Sequence, residues 1–529
     1  MLRSVPDRVA VRVLQLGALA VVLAALPYKS FDLDRFFVPK ELVLHIAAGL
    51  ALVLVVTRSR RWSLSRADQL LAWFVVLSAL SAVFATNVWL AQRALAITLS
   101  GVACFWSARA LARAGRMQAL VNAIALASVV GAVSALLQAY GVRIEYFSLN
   151  RAPGGTFGNR NFMAHIAAIA MPALVWSAIF ARSRPAYLRW AVGIGLVSAA
   201  LMLSRSRAAW LALVLGAVVT VPLGLATLRG LSGEVRGGRV AMLPVFAAAG
   251  VALALLLPNT LDWNSDSPYL DTARSVVNYK AGSGHGRLVQ YATTLRMSVR
   301  HPLLGVGPGN WAVHYPTFAA DDDPSMSSEG MTANPWPSSD WMTVLSERGL
   351  AAFVLLMLAF AALAVDAGRA VRGAVDAEGR LAACALLGTL IILLVVGSFD
   401  AVLLLPAPAL VAWSLLGALS PESRERASLD VPFFRRALAL MAIASLAAAL
   451  AARSLTQASA MALFSGSTRA GTLERASALD PGSYRIHIRL ADGYLNRGNC
   501  TKARVHASAA HALFPAAPQP RRVLGACRR

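Results

Sequence analysis

Thirteen mostly apolar stretches run through this chain, each close to the ~20 residues that a helix needs to cross a bilayer. They begin near Val9, Glu41, Ala67, Ala91, Met117, Met163, Tyr187, Ala208, Val240, Asp340, Leu381, Ala401 and Phe433. Only Phe399 and Asp400 part the eleventh from the twelfth. Of 529 residues, 57% are hydrophobic and 14% charged, against about 25% charged in soluble domains. The mean hydropathy is +0.59. These runs predict an all-α polytopic membrane protein with about 12–13 transmembrane helices. They exclude a soluble enzyme, a disordered chain and a small disulfide scaffold.

The net charge is +24, and only four of the fifty basic residues are Lys. Such a balance can signal nucleic acid. Here, however, the arginines crowd short turns between apolar runs, which is the mark of membrane topology. RSRRWSLSR (58–66), ARALARAGR (108–116), ARSRPAYLR (181–189) and LRGLSGEVRGGR (228–239) are rich in Arg. The turns between them, such as ATNVWL (85–90), are poor in charge. The positive-inside rule places the Arg-rich turns and the N-terminus in the cytoplasm. Thirteen crossings then leave the C-terminus and the segment 258–339 outside. The N-terminus has a basic start, but no small-residue cleavage site follows the first apolar run, which predicts a retained first helix.

Two polar regions stand apart. The segment 258–339 is the long loop of the membrane part, and loops of that length are usually functional or disordered. Within it, 287–300 suits a short amphipathic helix, and Gly305, Gly307 and Gly309 punctuate the turn after it. The second region is the tail, 453–529, which separates from a membrane domain over 1–452. With Tyr484 as position 1, Leu490 and Ala491 fall at 7 and 8, Tyr494 at 11, Ala503 at 20, Ala510 at 27 and Pro515 at 32. One 34-residue period earlier stand Ala476 and Pro481. This spacing resembles the tetratricopeptide repeat, and an unspecific Ala-rich helical pair is the alternative. So short an array needs the last membrane helix or a protein partner to lean on. Cys104 and Cys384 lie in apolar runs as packing residues, and the spacing leaves open whether Cys500 and Cys527 pair.

Phosphate-binding, dinucleotide, nucleophile-elbow and zinc signatures are absent from the sequence, so no cofactor or metal is expected. Arginines expected on the outer face are the stronger signal. Arg205 and Arg207 sit in LSRSRAAW, Arg160 in GGTFGNRNF, and Arg287 opens the amphipathic segment. Guanidinium groups suit phosphate and pyrophosphate, and snorkelling to lipid headgroups is the plainer reading. His285, His301 and His314 all fall in the long loop, where a neutral imidazole can act as general base. Asp340 reads as the N-terminal cap or a first-turn acid of the tenth helix. Glu347 lies within that apolar run, where an acid is a functional candidate or the partner of an external arginine.

Four words in order resemble the O-antigen ligase and polymerase superfamily: RAPGGTFGNRNFMA (151–164), LSRSRAAWLA (203–212), GRLVQYATTLRMSVRHPLLGVGPGNW (286–311) and SSDWMTVLSERGL (338–350). The likeness covers roughly 65–420. It implies a bacterial inner-membrane glycosyltransferase, without metal or nucleotide, that takes glycan from undecaprenyl diphosphate at the periplasmic face. By position, Arg207 and Arg287 resemble the family's diphosphate-gripping arginines. The family has a His-Asn pair before the tenth helix, then a Gly about nine residues on. Here Gly349 fits, but Ser338 and Ser339 stand at the pair. A serine has no pKa near neutrality, so three readings stay open. His301 or His314 substitutes; Asp340 or Glu347 is the base; or the chain binds glycan lipid without transferring it.

The leading expectation is therefore an inverting glycosyltransferase acting on a lipid, polysaccharide or protein acceptor, surrounded by membrane lipids. A non-catalytic assembly scaffold is the second, with its tail docking a protein partner. A lipid-glycan transporter is the third, and no helix-pattern repeat supports it.

Overall fold

The computed structural model describes residues 5–59, 61–148, 151–229, 234–263, 265–274, 282–327, 329–374, 376–420 and 427–527. Every apolar run becomes a helix. They are α1 (Val5–Leu23), α2 (Asp34–Arg58), α3 (Arg66–Val83), α4 (Val88–Leu111), α5 (Met117–Ala139), α6 (Arg160–Ile179) and α7 (Arg184–Ser204). Then come α8 (Arg207–Arg229), α9 (Glu234–Leu256), α10 (Pro268–Arg274), α11 (Gly282–Arg300), α12 (Trp311–His314), α13 (Asp340–Gly373), α14 (Ala377–Phe399) and α15 (Pro406–Leu419). The long α16 (Phe433–Gly466) leads to the tail helices α17 (Ala470–Leu479), α18 (Tyr484–Leu495), α19 (Cys500–Leu513) and α20 (Pro518–Ala526). The chain is an all-α polytopic membrane protein. Among the described residues, ten stretches are long and apolar enough to cross a membrane, and one of them, Val88–Ala139, holds both α4 and α5. Two of the thirteen runs fall short of that measure. In α1, Asp7, Arg8 and Arg12 dilute the apolar face, and α15 has only 14 residues.

Successive long helices run up and down, so their turns collect at two ends. One end carries the Arg-rich turns and a two-stranded antiparallel ribbon, β1 (Arg61–Leu64) with β2 (Ala427–Asp430). There Ser65 and Asp68 form a capping box for α3. Arg109 bonds the same Asp68 at 2.7 Å. The other end carries the tail. Small residues let helices cross closely in the absence of a hydrophobic drive between them. Gly417 meets the backbone of Phe105, and Gly250 meets that of Gly195.

The tail packs against the bundle. Ala476, Leu490, Ala491 and Ala503 are buried in it, together with Phe464 of α16 and Phe31 of the α1–α2 turn. Asn87 Nδ2 donates to the Leu513 carbonyl at 3.1 Å. Phe514 joins the cluster around Trp311 and Tyr315. A disulfide links Cys500 to Cys527, tying α19 to the end of α20. Cys104 and Cys384 are buried free thiols.

Candidate functional site

At the tail end of the bundle, α6 starts beside the α7–α8 turn. Arg160 opens α6 after the capping residue Asn159, and Arg207 opens α8. A cation at a helix N-terminus opposes the helix dipole, so each start offers backbone N–H groups and a guanidinium in one place. Arg205 ends α7 in the left-handed region at φ 53°, alone in that among the described non-glycine residues. Such a conformation costs about 1–3 kcal/mol, and it turns the side chain toward the loop. There Arg205 Nε donates to Thr272 Oγ1 at 2.7 Å. Its guanidinium lies 4.7 Å from the centre of the Trp263 ring. Arg160 reaches the same ring at 4.8 Å. The charges that act on Arg160 include those of further arginines, Arg205 and Arg151. Among the described residues, Arg160, Arg205 and Arg287 form no ion pair with a carboxylate. The Trp263 indole N–H and the Tyr269 hydroxyl, both buried, also lack a hydrogen-bond partner among them. The arrangement presents donors and positive charge that no described carboxylate pairs with at Arg160 or Arg205, which suits a phosphate or diphosphate.

A second group lies on α6, one and a half turns on, roughly 7.5 Å along its axis from Arg160. His165 is 1% exposed, and neither of its ring nitrogens has a hydrogen-bond partner among the described residues. Its Nε2 lies 3.9 Å from Asp400 Oδ2, and the Asp400 side chain is 15% exposed. Asn161 Nδ2 donates to that oxygen at 3.5 Å. Arg287, in the second turn of α11, is close enough for its charge to act on His165. The packing of α11 explains this proximity. Tyr291, one turn beyond Arg287, donates from its hydroxyl to the carbonyls of Ser338 and Ser398 at 2.6 and 2.7 Å. The structure thus brings Arg160 and Arg205 together on Trp263, with Arg207 two residues further. The charge of Arg287 acts on His165, which in turn meets Asp400.

The two expected acids are engaged elsewhere. Asp340 is 1% exposed and accepts from the Val402 and Leu403 N–H groups, each at 3.0 Å. It pins the turn between α14 and α15. Glu347 is equally buried and accepts from Gly309 N at 2.7 Å and Trp311 N at 3.2 Å. It braces the GVGPG turn, where Gly305, Gly307 and Gly309 all have positive φ. Gly349 breaks the regularity of α13 at φ 80°, and the carbonyls of Ser346 and Glu347 accept from Val306 and Gly307. Ser339 serves as the N-cap of α13, a role for which serine is well suited. Ser338 donates its backbone N–H to Gln290.

His301 follows the last residue of α11, roughly 21 Å along its axis from Arg287, and His314 ends α12. Their rings are 5.9 Å apart, and His314 Nε2 pairs with Thr86 Oγ1 at 3.0 Å. Burial, and after it the neighbouring His301, holds the His314 imidazole below the usual histidine range. His285 is exposed. Trp263, His165, Asn161 and Asp400 were not among the residues expected from sequence. A histidine inside the apolar run of α6 and an acid between two apolar runs were the available signals. Nothing in the pattern of the long loop marks Trp263.

The model of the O-antigen ligase family matches residues 192–357. That range holds Arg205, Arg207, Trp263, Arg287, Asp340 and Glu347, and leaves out Arg160, His165 and Asp400. No curated protein matches the chain.

Proposed function

We propose that this multi-pass membrane protein is an inverting glycosyltransferase that moves a glycan from undecaprenyl diphosphate to an acceptor. The match to the O-antigen ligase family supports an O-antigen-ligase-type function acting on lipid-linked polysaccharide. The observation that carries the finer reading is the pair Arg160 and Arg205 on one tryptophan ring, with no described carboxylate to neutralise them. A bound diphosphate would satisfy both guanidinium groups and the two helix N-termini beside them. Arg207 and Arg287 are read as further ligands of the same group. The Arg-rich turns lie at the opposite end of the bundle. By the positive-inside rule the site then faces the periplasm of a bacterial inner membrane.

In this reading the acceptor hydroxyl attacks the anomeric carbon, and the bond to the diphosphate breaks on the opposite side. The diphosphate leaves with the electron pair. The arginines stabilise the charge that develops on it, and the helix ends hold it in line. The tail, read as tetratricopeptide-like, would offer a docking face for a protein partner.

The test is binding. Purified protein in nanodiscs is titrated with an undecaprenyl-diphosphate glycan, and Arg205→Ala and Arg287→Ala are compared with wild type. Each loss should weaken binding about 10- to 100-fold, the worth of a hydrogen bond to a charged group. Undiminished binding in both variants would contradict the reading.

A further inference from the structure

The transfer reading leaves one group unassigned, the acceptor of the proton from the attacking hydroxyl. Asp340 and Glu347 each spend both carboxylate oxygens on backbone N–H groups and are 1% exposed. His301 stands roughly 21 Å along the α11 axis from Arg287, and the His314 ring is 5.9 Å from the His301 ring. Asp400 reaches Asn161, the residue after Arg160, with an oxygen not taken up by backbone. Asp400 Oδ1 accepts from Ala401 N at 2.9 Å. Oδ2 faces Asn161 at 3.5 Å and His165 at 3.9 Å. The side chain is partly exposed, and the imidazole behind it is buried with neither nitrogen hydrogen-bonded among the described residues.

We infer that Asp400 and His165 form the proton-handling pair of this site: Asp400 is the catalytic base, and the buried imidazole of His165 is its positioning residue. The inference rests on the transfer reading above. As the acceptor oxygen bonds to the anomeric carbon, its proton passes to Asp400 Oδ2. The electron pair of the breaking bond leaves on the diphosphate. The proton is then released to water, which restores the carboxylate. A rotation of the His165 ring within its pocket brings Nε2–H toward Oδ2, since hydrogen bonds in unliganded sites are commonly long. Asn161 supplies a second donor to the same oxygen.

Among the described residues, His165 on α6 and Asp340 on α13 lie within electrostatic reach of Asp400, and Arg287 on α11 acts on His165. The base works as the carboxylate, and His165 holds it toward the attacking hydroxyl.

The experiment uses full-length protein in proteoliposomes with an undecaprenyl-diphosphate glycan and the acceptor fraction of the native envelope. Wild type, Asp400→Asn and His165→Leu are compared for donor binding and for the kcat and KM of transfer. Asp400→Asn should bind donor as wild type does and lose about 10²–10⁴-fold in kcat. His165→Leu should keep donor binding and KM and lose kcat. Transfer by Asp400→Asn at the wild-type rate overturns the inference while leaving the transfer reading intact. So does a parallel loss of binding and rate, which would mark Asp400 as structural. Absence of transfer by the wild type would overturn both readings.

Discussion

Glu347 shows how a buried charge in an apolar helix can serve backbone architecture. An acid inside a spanning run is a functional candidate by default, and pairing with an external arginine is the other reading the sequence offers. Its partners are two N–H groups 38 and 36 residues earlier, in a turn whose three glycines need the left-handed region. Replacing Glu347 by Ala leaves the Gly309 and Trp311 N–H groups buried and unpaired, at about 1–3 kcal/mol each. E347A should therefore lower the midpoint of thermal unfolding in detergent markedly, and E347Q, which keeps one acceptor oxygen, should lower it less. An unchanged midpoint in E347A would remove the bracing role. The same scale explains what sequence reading could and could not see. Arg160, Arg205, Arg207 and Arg287 were visible because arginine is costly near a membrane and falls at few outer turns. Asp400 looked like a mere separator between two runs. His165 acquires meaning only when the turn after α14 folds back onto α6.

At the scale of elements, the long helices were legible because each is a run of apolar residues about a bilayer thick. Their turns were legible from Arg clustering. The segment expected to be helical over 287–300 is helical from Gly282, since the two residues that anchor it, Gln290 and Tyr291, bind partners at Ser325, Ser338 and Ser398. Those partners lie far away in sequence and leave no periodic trace. In the tail, the small residues expected at close crossings are buried: Ala476, Ala491, Ala503 and Ala510. The last membrane helix, α16, was one of the supports expected, and what spacing could not reveal is that the α1–α2 turn completes that core with it. The pairing of Cys500 with Cys527 likewise needed the return of α20 onto α19. The bridge closes a stretch with a sequence separation of 27 residues, and a loop of that size is worth roughly 3–4 kcal/mol by the chain-entropy account. Cys500→Ser should expose α20 to limited proteolysis while the membrane bundle stays intact. Equal resistance of the two tails would show that packing alone holds α20.

Across the whole molecule, charge and chemistry are segregated. Arg-rich turns, the β1–β2 ribbon and the Asp68–Arg109 pair occupy one end. The tail, the glycine turn, and the groups on Trp263 and Asp400 occupy the other. An up-and-down chain of helices produces this division without further instruction, because every second turn returns to the same side. The family match spans 192–357, yet the site draws Arg160 and His165 from before it and Asp400 from after it. Function on this account belongs to the assembled bundle and not to the matched segment alone. The most direct test is transfer by the purified full-length chain in proteoliposomes, supplied with an undecaprenyl-diphosphate glycan and native envelope acceptors. The account predicts a glycan-bearing acceptor band, or a lengthened lipid-linked ladder, that disappears in a combined Arg160→Ala and Arg205→Ala variant that remains folded. Donor bound without any product from wild type would contradict it and point to a scaffold that holds glycan lipid.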